Sequence, residues 1–169
     1  MRRSDLALAV SATTRPQRPG EVDGRDYHFL TEEDFLARVE RGEFLEHVVY
    51  VSVRYGTLRS EVERIFAAGQ SCVLELETVG ARKVQQTWPE AVTIFIAAPS
   101  FEELERRLRE RATESSGVIG ERLEVARRQM AEAAFFGHVV VNDDVERAVA
   151  ELDEIVSRAL TPVGRLSAT

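Results

Sequence analysis

From Ser71 onward the chain alternates short, mainly apolar runs with helical periods, and this restricts the architectures open to it more than any other feature. The runs 72–76, 92–97 and 138–142 read as strands, and 80–87 reads as a short helix between the first two. Ser100-Phe-Glu-Glu103 forms a capping box that opens a long helix, interrupted over 113–117 and then resumed. Asp144 caps a last amphipathic helix that reaches about Leu160, and residues 161–169 read as a tail. Apolar strands separated by helices predict an α/β fold, with a parallel sheet covered by helices on both faces.

The first half follows another pattern. Residues 6–10 read as a short buried strand that leads into a loop over 11–24, punctuated by Pro16, Pro19, Gly20 and Gly24. A second short strand is expected over 27–30, and Thr31-Glu-Glu33 starts a helix whose Phe35, Leu36 and Val39 end before Gly42. The stretch 44–53, rich in Val, Phe and Tyr, predicts a small antiparallel sheet; Tyr55-Gly-Thr57 closes it before a helix running to Gly69. With 169 residues, 44% of them hydrophobic, one core is expected over 1–160, with excursions at 27–57 and 105–125.

Charge and cysteine usage exclude several classes. A net charge of -7 offers no basic face for displacing counterions from a duplex, so no nucleic-acid partner is expected. Cys72 stands alone, which rules out an internal disulfide and fits a reducing cytoplasm. Met1-Arg-Arg followed by Leu-Ala-Leu-Ala-Val imitates a signal peptide, but Asp5 interrupts it and the apolar run is too short. No run approaches the roughly 18 apolar residues of a spanning helix, so no membrane partner is expected.

Several residues could carry chemistry. Arg15 and Arg18 flank prolines that stiffen the loop, so two guanidinium forks can be aimed at one dianion with little ordering entropy left to lose. Tyr27, Tyr55 and Thr57 add hydroxyl donors suited to phosphate oxygens. Glu46 ends Gly42-Glu-Phe-Leu-Glu46, and a carboxylate there could accept from the N1 and N2 donors of guanine. Arg107 and Arg111 lie one helical turn apart, and with Arg122 they flank the helical interruption, where arginines could fold over transferring phosphates. Taken singly, each of these also reads as an ordinary solvent-facing side chain. No metal-ligand spacing is present, and no Gly-x-x-x-x-Gly-Lys-Ser/Thr phosphate loop occurs in the 169 residues.

Read together, Ser11-Ala-Thr-Thr-Arg-Pro-Gln-Arg18-Pro-Gly-Glu21, Asp26-Tyr-His-Phe29, Gly42-Glu-Phe-Leu-Glu46, Tyr55-Gly-Thr57, Pro99-Ser100, Arg107 through Arg111 and Val140-Val-Asn-Asp-Asp144 resemble a guanylate kinase, in the right order over nearly the whole chain. The resemblance implies transfer of the terminal phosphate of ATP to GMP with magnesium. It implies a parallel-sheet core of the P-loop-kinase kind, with a small antiparallel GMP-binding excursion and a helical lid. By position, Ser11, Arg15, Arg18, Tyr27, Glu46, Tyr55, Thr57, Glu75 and Glu77 would hold GMP. Arg107, Arg111 and Arg122 would be the catalytic lid arginines, and Asn142 would lie near the adenine of ATP.

The departures shape the expectation. The family's first strand and phosphate loop have no counterpart in these 169 residues, so GMP is the expected ligand, with ATP and magnesium only if such a segment is restored. The usual acidic-x-Asp-x-Gln-Gly reads Glu75-Leu-Glu-Thr-Val-Gly80, the usual Gly-Asn before Tyr55 reads Ser52-Val53, and Arg-Gly-Thr in the lid reads Arg111-Ala-Thr113. The expected polypeptide therefore binds GMP but transfers phosphate poorly. The rivals are a non-catalytic module for phosphorylated peptides and a fragment of an active kinase with a misassigned start. Loss of the family's central strand would expose two sheet edges. These could be met by direct pairing of the flanking strands, by a homodimer partner, or by a start further upstream.

Overall fold

A computed structural model describes residues 3–50, 52–111 and 116–161. The chain divides into two compact units, Met1–Pro89 and Glu90–Thr169.

In the first unit, β1 (Leu6–Leu8) runs parallel to β6 (Ser71–Val73), with Leu6 opposite Ser71 and Leu8 opposite Val73. Both strands are shorter than predicted. The last bond of the ladder runs from the Ala9 amide to the Val73 carbonyl at 3.0 Å, after which Leu74–Glu77 leaves the pairing and turns into α3 (Thr78–Thr87). That helix starts two residues before the sequence pattern suggested, with Glu77 extended at its N-cap.

The same unit holds a four-stranded sheet in the order β3 (His28–Phe29), β2 (Ala12–Thr13), β5 (Val53–Leu58), β4 (Phe44–Tyr50). β4 and β5 form an antiparallel hairpin, β2 runs antiparallel to β5, and β3 joins β2 in parallel. One face packs on α1 (Glu32–Glu40), whose Phe35 is fully buried and stacks on Phe44 at 4.4 Å between centroids, with Ala12, Leu58, Leu30 and Val39 around them. Thr31 caps this helix as expected, accepting from the Asp34 amide at 3.0 Å and donating to the Asp34 carboxylate at 2.9 Å. Gly42, with φ of 68°, closes its other end. The helix α2 (Arg59–Ala67) buries Val62 and Ile65.

In the second unit, β7 (Ile94–Ala97) runs parallel to β8 (His138–Val141), so among the described residues each parallel strand pair lies inside one unit. Around them come α4 (Phe101–Arg111), α5 (Ser116–Glu132) and α6 (Val145–Leu160). Both sequence-predicted caps are in place: Ser100 Oγ accepts from the Glu103 amide at 3.2 Å, and Asp144 accepts from the Arg147 amide at 2.9 Å. Among the described residues of this unit, Val140, Ala126 and Ala148 are the buried apolar ones. No helix among the described residues is long and apolar enough to cross a membrane.

Candidate functional site

The loop that follows β1 is anchored before it reaches its arginines. Thr13 is fully buried; its hydroxyl donates to the Arg54 carbonyl at 3.0 Å and accepts from the Arg15 amide at 3.1 Å. The Arg15 guanidinium lies 5.4 Å from the centroid of the Tyr27 ring and 5.7 Å from that of Phe29, within cation–π range of both. Tyr27 in turn meets the edge of Tyr55 at 6.1 Å. Burial, with Tyr55 and Glu75 nearby, pushes the Tyr27 phenol up from its ordinary pKa, so it stays a hydroxyl donor.

Behind this aromatic wall lies a cavity of about 300 Å³, at the lower end of the range for small-molecule sites. Six of the nine predicted ligand residues line it: Ser11, Tyr27, Glu46, Tyr55, Glu75 and Glu77. Thr57 sits behind it, 1% exposed, and donates to Glu46 Oε1 at 2.9 Å. Arg15 flanks it through Tyr27, and Arg18 belongs to the loop turn, where its amide donates to Glu21 at 2.7 Å.

Glu46 is the unusual member, because the residue is only 4% exposed yet borders the cavity. Burial pushes its pKa up, while the hydrogen bonds from Thr57 and the charge of Lys83 pull the other way. Lys83 is held nearby by donating to the His47 carbonyl at 2.8 Å. Two glycines make room for this arrangement. A Cβ on Gly56 would lie 2.8 Å from the Glu46 carbonyl, and one on Gly80 would lie 2.6 Å from Glu46 Oε2. The carboxylate therefore rests on the first turn of α3, where the helix dipole favours negative charge.

Asp26, Val48, Tyr50 and Leu76 also line the cavity and were not singled out in the sequence. Period-two alternation from Glu46 would have reached Val48 and Tyr50, since the three share one face of β4. The cavity thus carries carboxylates suited to the N–H donors of a base, and beside them phenols, a hydroxyl and a guanidinium suited to a phosphate.

The sequence model of the guanylate kinase family matches residues 2–159. The chain belongs to the guanylate kinase family. It is 48% identical over 151 residues to the guanylate kinase of Frankia casuarinae, which covers 89% of this chain and 82% of that protein. It is 50% identical over 153 residues to that of Rubrobacter xylanophilus, covering 90% and 80%. A crystal structure of guanylate kinase from Anaplasma phagocytophilum superimposes with a TM-score of 0.80 at 31% identity, over 94% of this chain and 78% of that one.

The remaining family positions lie in the second unit. Arg107, expected as a lid arginine, is partly buried on α4; it donates to Glu103 at 2.7 Å and to the carbonyl of Asn142 at 3.0 Å. Asn142 follows β8 directly and its own amide donates to the Ala97 carbonyl at 2.7 Å. Arg111 ends α4 one turn after Arg107, but its side chain lies outside the described residues, as does most of the predicted interruption over 113–117. Arg122 is half-buried on α5. Among the described residues no group of three or more His, Cys, Asp or Glu could hold a metal ion.

Proposed function

We propose that the cavity of the first unit is a GMP site. Arg15, Arg18, Tyr27 and Tyr55 would hold the phosphate, and Glu46, backed by Thr57 and joined by Ser11, Glu75 and Glu77, would read the guanine. The observation that carries this is the buried Glu46 bordering a cavity that Tyr27 and Tyr55 also line, with the Arg15 guanidinium beside the Tyr27 ring. An acceptor-only group favours a base that presents adjacent N–H donors, which guanine does and adenine does not. Calorimetry should show GMP binding at least about tenfold tighter than AMP, the scale of losing a hydrogen bond to a charged group. Arg15→Ala should abolish GMP binding, and Glu46→Gln should narrow the GMP-to-AMP ratio. Equal affinity for the two nucleotides would refute the assignment.

The second part of the reading concerns transfer. Phosphoryl transfer rests on positioning and charge stabilisation around the ATP phosphates, and these 169 residues contain no glycine-rich phosphate loop with its lysine. The polypeptide of this sequence is therefore read as binding GMP without efficient transfer. The roles of Arg107, Arg111 and Arg122 toward phosphates, and of Asn142 toward adenine, require ATP and magnesium held by such a loop. Turnover with ATP and magnesium close to that of a complete guanylate kinase would overturn this part and leave the GMP assignment standing.

A further inference from the structure

Glu21 makes more contacts with the phosphate-side loop than a surface carboxylate needs. Its Oε1 lies 2.6 Å from Arg15 Nη2, and its Oε2 accepts from the Arg18 amide at 2.7 Å. The Glu21 amide closes the same turn by donating to the Arg18 carbonyl at 3.1 Å, across Gly20 with φ of 88°, and the Gln17 side chain donates to the Glu21 carbonyl. The Arg15 side chain is 14% exposed and that of Glu21 19%. Arg15 is then fixed on all sides, by Glu21, by the Pro16 carbonyl at 2.7 Å from Nη1, and by the rings of Tyr27 and Phe29.

From this geometry we infer that Glu21 is the positioning residue of the phosphate grip, setting the plane of the Arg15 guanidinium and the turn that carries Arg18 before the ligand arrives. The inference rests on reading the cavity as a GMP site. A carboxylate that merely occupied the place of the phosphate would need no bond to the Arg18 amide and no share in that turn. A guanidinium carries five donors in a rigid fork, so it can serve an internal and an external anion at once. Holding it beforehand removes the rotamer entropy that a long side chain otherwise loses on binding.

The test compares GMP with guanosine, which lacks the phosphate, by calorimetry on the full 169-residue chain. Glu21→Gln should weaken GMP by about tenfold through the loss of a charge-assisted contact, while guanosine affinity stays within about twofold and certifies the fold. An unchanged GMP-to-guanosine ratio in Glu21→Gln overturns the inference. So does a raised ratio, which would make Glu21 a competitor of the phosphate, and so does an equal loss of both ligands. If the unsubstituted protein binds GMP no better than guanosine, the GMP reading falls and this inference falls with it.

Discussion

Glu46 is held where its charge is unfavourable for folding and useful for recognition. Its pKa in the folded protein is raised by burial, so the native state binds a proton more readily than the unfolded chain does. Stability drawn from this group is present at acid pH, below the ordinary carboxylate value, and is lost as the pH climbs through the raised value. Glu46→Gln should therefore melt higher than the unsubstituted protein at pH 8, with the gap shrinking toward pH 5, while guanine preference falls. Thermal melts across that range check the first half and GMP against AMP titrations the second. Gly80 belongs to the same arrangement: a methyl 2.6 Å from Glu46 Oε2 cannot be accommodated unless the carboxylate moves. Gly80→Ala should cost roughly 1–3 kcal/mol in urea unfolding, as overpacking does. It should also weaken GMP more than it weakens inorganic phosphate.

At the scale of elements, β4 and β5 form a hairpin in which Tyr50 pairs with Val53, and Ser52, just before β5, has φ of 65°. The family usually has glycine there, and this chain places an ordinary side chain in the left-handed region at roughly 1–2 kcal/mol, less the roughly 0.5–1 that glycine's unfolded freedom would take back. Ser52→Gly should raise stability by about 0.5–1 kcal/mol, seen as a higher urea midpoint with an unchanged slope. Local signals of this kind were the readable part of the sequence. Thr31, Ser100 and Asp144 cap the helices that their spacing predicted, because a cap depends on residues three positions away. Strand length was not readable: β6 stops at Val73, where its partner β1 stops at Leu8, although Leu74 and Leu76 extend the apolar pattern. The fit of Gly80 against Glu46, and the place of Glu21 beneath Arg15, arise from close approaches that no spacing rule encodes.

For the whole molecule, the cavity and every predicted GMP residue fall in Met1–Pro89, while Arg107, Arg122 and Asn142 fall in Glu90–Thr169. Family membership spans both units, since the matched region is residues 2–159. A ligand that binds only the folded state adds about 2.7 kcal/mol to the unfolding free energy at one hundred times its Kd. In a chain of this size that raises the melting temperature by roughly 5–10 °C. Because the contacts assigned to GMP all lie before Pro89, slowed hydrogen exchange should concentrate in the loop over 11–30 and in the β4–β5 hairpin. Guanosine should protect the hairpin around Glu46 and Thr57 while leaving the turn around Arg18 and Glu21 fast. Protection by GMP confined to residues 90–161 would move the site off this cavity. Protection of the 11–30 loop by guanosine as strong as that by GMP would take the phosphate away from Arg15 and Arg18.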